Sequence, residues 1–202
     1  MPSLVVPFRG AKGKSRLGPI PGSTRELLAC AMLEDVVAAC TAVGPTYVVA
    51  PAGTHAEDAT LVPDPGGGQG AAVRAGLEVA ALAAGGSGTL LVVNADLACV
   101  TPRDLLSLAG AVPPDGLAYA AAADGTTNAL GLSSPQLFAP VFGPGSAARF
   151  GALGPSRRVD APNLMDDVDT ISDLERLGPR LGRRTRSILA SLRIGIDFGA
   201  AA

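Results

Sequence analysis

The segment TLLVVNAD, Thr89–Asp96, gives the cleanest strand signal in the chain: an unbroken apolar run that ends in a carboxylate. The run is too short for a helix, and it shows none of the polar alternation of a strand with one wet face. A strand of this kind is covered on both faces, as in a parallel sheet. Reading outward from it, AAVRAGLEVAALAA (71–84) precedes as a helix. TYVVAP (46–51) and TLVPD (60–64) read as strands, STRELLACAMLEDVVAAC (23–40) as a helix, and Ser3–Phe8 as a buried strand. Ser23 or Thr24 is the expected cap of the 23–40 helix, with Glu26 in its first turn. On the other side, TPRDLLSLAGA (101–111) opens with a Thr cap and Pro at the first helical position. GLAYAAA (116–122) and TNALGLS (127–133) alternate as shorter strands, and DVDTISDLERL (167–177) runs from a carboxylate cluster into a helix. Strands alternating with helices predict an α/β fold with a mixed, mainly parallel sheet, the antiparallel element coming from the 127–133 side. One domain is expected over residues 1–180, with 181–202 as a basic C-terminal appendage.

Composition supports a single core. The chain has 202 residues, 48% hydrophobic but only 3% aromatic, so Ala, Val and Leu must fill the interior. The 26 Gly and 17 Pro fall between apolar runs, where they mark loops rather than disorder. A net charge of −2 provides no general basic field for nucleic acid. Six arginines gather late in the chain, at 176, 180, 183, 184, 186 and 193; they read as a solvated helix face or an oligomer contact, such as a homodimer's, rather than a polyanion site. The apolar runs fall well short of the ~20 residues that span a bilayer, and no signal peptide opens the chain, so no membrane partner and a cytoplasmic location are expected. Cys30, Cys40 and Cys99 share no metal-ligand spacing and read as reduced, buried apolar side chains. His55 lies in a polar loop and is not expected to do chemistry.

PFRGAKGKSRLGPIPG (7–22) follows the first strand and contains Gly13-Lys14-Ser15. It is not a P-loop: Phe8 stands where the leading glycine belongs, and two prolines and two glycines downstream forbid the required helix. What remains is a flexible loop carrying Arg9, Lys12, Lys14 and Arg16 at the C-terminal end of a strand, where α/β sheets bind ligands. Glycines there let backbone N–H groups approach phosphate oxygens while Lys and Arg neutralise their charge. An ordinary basic surface loop is the alternative.

Asp96 is poorly explained by packing, because Asp is rarely buried unless paired or metal-bound. Asp167 and Asp169, two apart in MDDVDT, share one side of an extended segment and turn Asp166 away. Three hard oxygen ligands suit Mg²⁺. The alternatives are a helix cap for Asp169 and a strand-end turn for Asp96.

The order PFR…KSRL, DL after a strand, GTTNAL, FGPGS and DVDT..DL resembles the 2-phospho-L-lactate or phosphoenolpyruvate guanylyltransferases of coenzyme F-420 biosynthesis, from the first strand to about Leu177. The resemblance implies a three-layer α/β/α sandwich of nucleotide-diphospho-sugar transferase type. It implies transfer of GMP from GTP to the phosphate of phosphoenolpyruvate or 2-phospho-L-lactate. Asp96, Asp167 and Asp169 then match the magnesium carboxylates, and Lys14 and Arg16 the triphosphate loop, with Arg9 where many members have lysine. Thr127, Gly143 and Ser146 match positions that hold the phosphorylated acid. Three departures are visible. Gln69, among the GTP-binding positions, stands where asparagine is usual. Ala98 replaces a proline, and Phe150 a frequent histidine. Another nucleotidyltransferase of the same fold and a catalytically silent nucleotide-binding module are the rival readings.

Overall fold

The structure is a computed structural model, and it describes residues 1–10, 17 and 20–191. The chain runs through β1 (Ser3–Pro7), α1 (Gly22–Thr41), β2 (Thr46–Ala50), β3 (Thr60–Pro63), α2 (Gln69–Ala83), β4 (Leu90–Val93) and α3 (Pro102–Ala111). It continues through β5 (Leu117–Ala121), β6 (Thr127–Leu132), α4 (Ser146–Gly151), β7 (Ser156–Arg158), α5 (Pro162–Met165), α6 (Ile171–Leu177) and α7 (Arg183–Ser191).

The strands form one seven-stranded sheet in the order β3-β2-β1-β4-β6-β5-β7. Every strand runs the same way except β6, which lies antiparallel to both β4 and β5. The expected mixed, mainly parallel sheet is therefore present, and TNALGLS is its reversed strand. After β1 the chain builds outward to β2 and β3, then returns to place β4 on the other side of β1. That makes a topological switch between β1 and β4, the position where open α/β sheets form ligand crevices.

Alternate residues of the buried strands feed two separate cores. Leu4, Val6, Val48, Leu91 and Val93 pack against α1, α3, α6 and α7. Val5, Val49, Leu90 and Val92 face α2 and the Phe138–Phe150 region. This period-two division of continuous Val/Leu runs creates the three-layer sandwich.

Local signals account for most helix ends. Thr101 and Asp104 form a reciprocal capping box at α3, as Thr170 and Asp173 do at α6. Helix α1 differs from expectation: it starts at Gly22 after Pro21, without a side-chain cap, so Glu26 lies beyond its first turn. Of the segment set apart as an appendage, residues 181–191 are described. There α7 packs on α1, with Leu189 buried. Asp35 of α1 accepts from the N–H groups of Arg184 and Thr185, both at 2.9 Å, and so caps α7 from across the fold. Among the described residues the cysteines are free; Cys40 and Cys99 are buried, whereas Cys30 is exposed on α1, contrary to expectation.

Candidate active site

Two chain segments build the acidic end of the molecule. Beyond β4 the backbone turns through Asn94–Leu97, which carries Asp96 just past the sheet edge. The second segment, 166–169, joins α5 to α6 and is docked by the Val168 N–H donating to the Asp96 carbonyl at 3.1 Å. The Val168 side chain is fully buried, and Asp167 and Asp169 on either side of it turn toward Asp96. One carboxylate oxygen from each of Asp96, Asp167 and Asp169 lies within 4.8 Å of the others. Thr170, not Asp169, caps α6, which removes the cap as an account of Asp169.

The reversed direction of β6 brings further polar groups to the same place. Its first residues, Thr127 and Asn128, lie beside the end of β4, where the Asn94 N–H donates to the Asn128 carbonyl at 3.1 Å. Buried Asn128 donates from Nδ2 to the Met165 carbonyl (3.2 Å) and to Asp167 Oδ1 (3.4 Å). Asn94 donates from Nδ2 to the Thr127 carbonyl (3.3 Å) and accepts from Gln69 Nε2 (2.9 Å). Gln69, the first residue of α2, is thereby tied to the turn that carries Asp96. Asn94 and Asn128 went unmarked in the sequence, although each stands in a segment singled out there for another residue.

Burial pushes the Asp167 carboxyl above the ordinary carboxylate range, and the negative charges of Asp96 and Asp169 push it further. The Asn128 N–H and Asp167's own backbone pull it only partly back. Three hard oxygen donors this close together fit a divalent cation that completes its shell with water or phosphate. Among the described residues no other His, Cys, Asp or Glu group converges in this way.

A cleft of about 710 Å³ opens beside the carboxylates, lined among others by Arg9, Gly10, Asp64, Gln69, Asp96 and Asp169. It lies at the C-terminal ends of β1, β3 and β4, on the switch between β1 and β4. Lys14 and Arg16 lie outside the described residues.

Thr127 and Ser146 meet: the Ser146 hydroxyl donates to Thr127 Oγ1 at 3.0 Å, and both residues are buried. The Ser146 N–H donates to the Gly143 carbonyl at 3.0 Å, closing the 143–146 turn beside Thr127. Gly143 and Gly145 hold φ of 103° and 71°, which glycine adopts without steric cost. Arg149 binds the back of this loop, donating from Nη1 to the Pro144 carbonyl at 2.8 Å and from Nε and Nη2 to the Val141 carbonyl at 3.2 and 3.0 Å. Phe150 points into the core, edge-on to Phe142 at 5.2 Å and stacked on Phe138 at 6.4 Å, away from the loop's polar groups. Ala98 is buried, and its carbonyl accepts from the Gly182 N–H at 2.7 Å.

Residues 14–161 match the profile of the MobA-like NTP transferase domain. The chain belongs to this family. Within it, the chain belongs with the phosphoenolpyruvate and 2-phospho-L-lactate guanylyltransferases. It is 38% identical over 208 residues to phosphoenolpyruvate guanylyltransferase of Streptomyces coelicolor, covering 95% of this chain and 97% of that one. It is 33% identical over 198 residues to 2-phospho-L-lactate guanylyltransferase of Natrialba magadii, covering 85% and 80%. Solved structures share the fold: 2-C-methyl-D-erythritol 4-phosphate cytidylyltransferase from Thermus thermophilus superposes with a TM-score of 0.60 at 17% identity, covering 94% of this chain and all of that one. The nucleotide-diphospho-sugar transferase architecture and the nucleotidyltransferase class are thus those of this chain.

Proposed function

We propose that this guanylyltransferase-family chain moves GMP from GTP onto the phosphate of a small carboxylic acid, phosphoenolpyruvate or 2-phospho-L-lactate, in biosynthesis of the deazaflavin coenzyme F-420. The observation that carries this reading is the convergence of Asp96, Asp167 and Asp169 at the mouth of the cleft.

A phosphate oxygen of the acid attacks the α-phosphorus of GTP. A new P–O–P link forms as the bond to the bridging oxygen breaks and pyrophosphate leaves. A phosphate monoester loses its second proton near pH 6, so the attacking oxygen is already charged at neutral pH and no general base is needed. Exposed His55, in the 51–59 loop, lines a separate hollow with Glu34, Glu57 and Arg184 and has no part in this chemistry. The difficulty is that two anions must meet. Asp96, Asp167 and Asp169 would hold Mg²⁺, which when bound neutralises the reacting phosphates and polarises the one under attack. Asn128 orients the Asp167 carboxylate, and the Gln69–Asn94 pair fixes the turn under Asp96. Arg9, Lys14 and Arg16 fit the role of holding the β- and γ-phosphates and stabilising departing pyrophosphate. Thr127, Gly143 and Ser146 would receive the acceptor's phosphate, the loop being held from behind by Arg149. Fixed donors and positioning supply the catalysis. The free thiols of Cys40 and Cys99 suit a reducing cytoplasm.

Incubation with GTP, Mg²⁺ and a mixture of phosphoenolpyruvate, 2-phospho-L-lactate and 3-phosphoglycerate tests this reading by mass spectrometry. The expected product is one phospho-acid joined to GMP, with an equal amount of pyrophosphate, and Asp96→Asn should yield none. GTP left intact with every acid, or product formed equally by the Asp96→Asn variant, would overturn it.

A further inference from the structure

The arginines late in the chain divide by what they touch. Arg184 binds Glu34 at 2.8 Å and Glu57 at 3.1 Å, securing α7. Arg183 and Arg186 are exposed. Arg176 and Arg180 instead converge on one carboxylate, Asp166, immediately before the proposed cation ligands. Arg176 Nη1 donates to Asp166 Oδ1 at 2.7 Å, and Arg180 Nη1 donates to Oδ2 at 2.8 Å, so both oxygens are engaged.

Each arginine is itself anchored elsewhere. Arg176 also donates to Asp173 Oδ1 at 3.1 Å, and Asp173 accepts through Oδ2 from the N–H groups of Thr170 (2.8 Å) and Asp169 (3.2 Å). Arg180 donates from Nη2 to Asn163 Oδ1 at 2.7 Å. Asn163 in turn donates to Asp104 Oδ2 at 3.0 Å, the carboxylate that caps α3. The 166–169 segment is therefore gripped on its outer side from α3, α5, α6 and the turn at 178–180. On its inner side it is held by the Val168 N–H donating to the Asp96 carbonyl and by Asn128 Nδ2 donating to Asp167 Oδ1.

We infer that Arg176 and Arg180 are positioning residues for the cation site, holding Asp166 outward so that Asp167 and Asp169 stay beside Asp96. This rests on the reading of those three carboxylates as cation ligands. Without a cation the three repel one another, which drives the 166–169 segment away from Asp96. Two guanidinium groups on Asp166 oppose that displacement. Their charges are balanced by Asp166 and Asp173, so what they contribute is geometry more than field. Both arginine side chains are about half exposed, at 51% and 40%, and exposed pairs of this kind add little to global stability. A forked donor is needed, because each arginine bridges two acceptors that a lysine ammonium would not span in the same geometry.

The test uses the full-length protein and Mn²⁺ alone, with free Mn²⁺ read by electron paramagnetic resonance. The Arg176→Ala/Arg180→Ala double variant should bind Mn²⁺ at least about tenfold more weakly than wild type, while its Tm in EDTA falls by no more than a few degrees. Lysine at both positions should recover less than half of the loss on a logarithmic scale. Half-saturating Mg²⁺ for turnover should shift by a similar factor, with kcat at saturating Mg²⁺ within about twofold. Should the double variant fail to fold, Asp166→Asn, which leaves both arginines in place, should still weaken Mn²⁺ binding severalfold. Wild-type affinity in these variants would overturn the inference alone. Absence of Mn²⁺ binding by wild type would overturn the cation site and the inference with it.

Discussion

Asp167→Asn should make the protein more stable as it makes it inactive. The three carboxylate oxygens lie within 4.8 Å of one another, and two unit charges at that distance repel by about 3 kcal/mol at an effective dielectric constant of about 20. The substitution removes two of the three repulsive pairs. Half-buried groups are partly screened, so a realised gain of about 2–3 kcal/mol is expected in metal-free buffer. Asn retains an oxygen to accept from Asn128, so the local hydrogen bond survives. For a domain of this size, about 2–4 °C of Tm accompanies each kcal/mol, so Tm in EDTA should rise by roughly 4–12 °C. The sign with pH is fixed by the direction of the Asp167 shift. Its carboxyl is raised in the fold, by burial first and by Asp96 and Asp169 next. The wild-type contribution is therefore fully present below the unfolded value of about 4 and is lost as pH rises through the folded value. The Tm advantage of the variant should then shrink toward pH 4 and widen toward pH 7. Excess Mg²⁺ should raise the Tm of wild type and leave that of the variant nearly unmoved. Scanning calorimetry with EDTA or Mg²⁺ reads all of this. A variant no more stable than wild type in EDTA at pH 7, or one that keeps the full Mg²⁺ shift, would refute the reasoning.

Phe150→Ala should cost about 3–5 kcal/mol in urea denaturation, because it empties a fully buried ring site packed against Phe138 and Phe142; a loss under 1 kcal/mol would contradict that packing. Gly76→Ala should destabilise by about 1–3 kcal/mol, since a Cβ there would stand 2.8 Å from Val49 Cγ2 where α2 crosses the sheet. Ser146→Ala should raise KM for the phospho-acid by about tenfold, because it removes the hydroxyl that donates to Thr127 Oγ1 and holds Thr127 in place for the acceptor, while KM for GTP stays within about twofold; equal effects on both substrates would remove Ser146 from the acceptor site.

The legible parts of the fold were those whose cause is local. Leu90–Val93 and Ser3–Pro7 announce buried strands by apolar continuity alone, and Thr101-Pro102 announces α3 by cap chemistry. Strand β7 gave no signal: Ser156, Arg157 and Arg158 are all exposed and form a strand only because β5 offers them an edge. Helix α7 buries just Thr185 and Leu189 and is capped by Asp35 from far along the chain, so its docking could not be read from its own residues. The acidic site divides in the same way. Asp96, Asp167 and Asp169 were visible because a carboxylate at an apolar strand end and a two-residue spacing both have local meaning. Asn128, Asn94, Arg176 and Arg180 acquire their roles from β6 running backward beside β4 and from α6 folding over the 166–169 segment. Those are tertiary facts, and neutral or surface-type side chains carry no mark of them.

The central claim is that Asp96, Asp167 and Asp169 jointly hold the cation that brings GTP and the acid together. Anomalous diffraction from crystals grown with Mn²⁺ and GTP tests it most directly. The account predicts a manganese peak in coordination contact with all three carboxylates and with the nucleotide's phosphates. A peak bound to the phosphates but out of reach of the Asp167 and Asp169 carboxylates would contradict it.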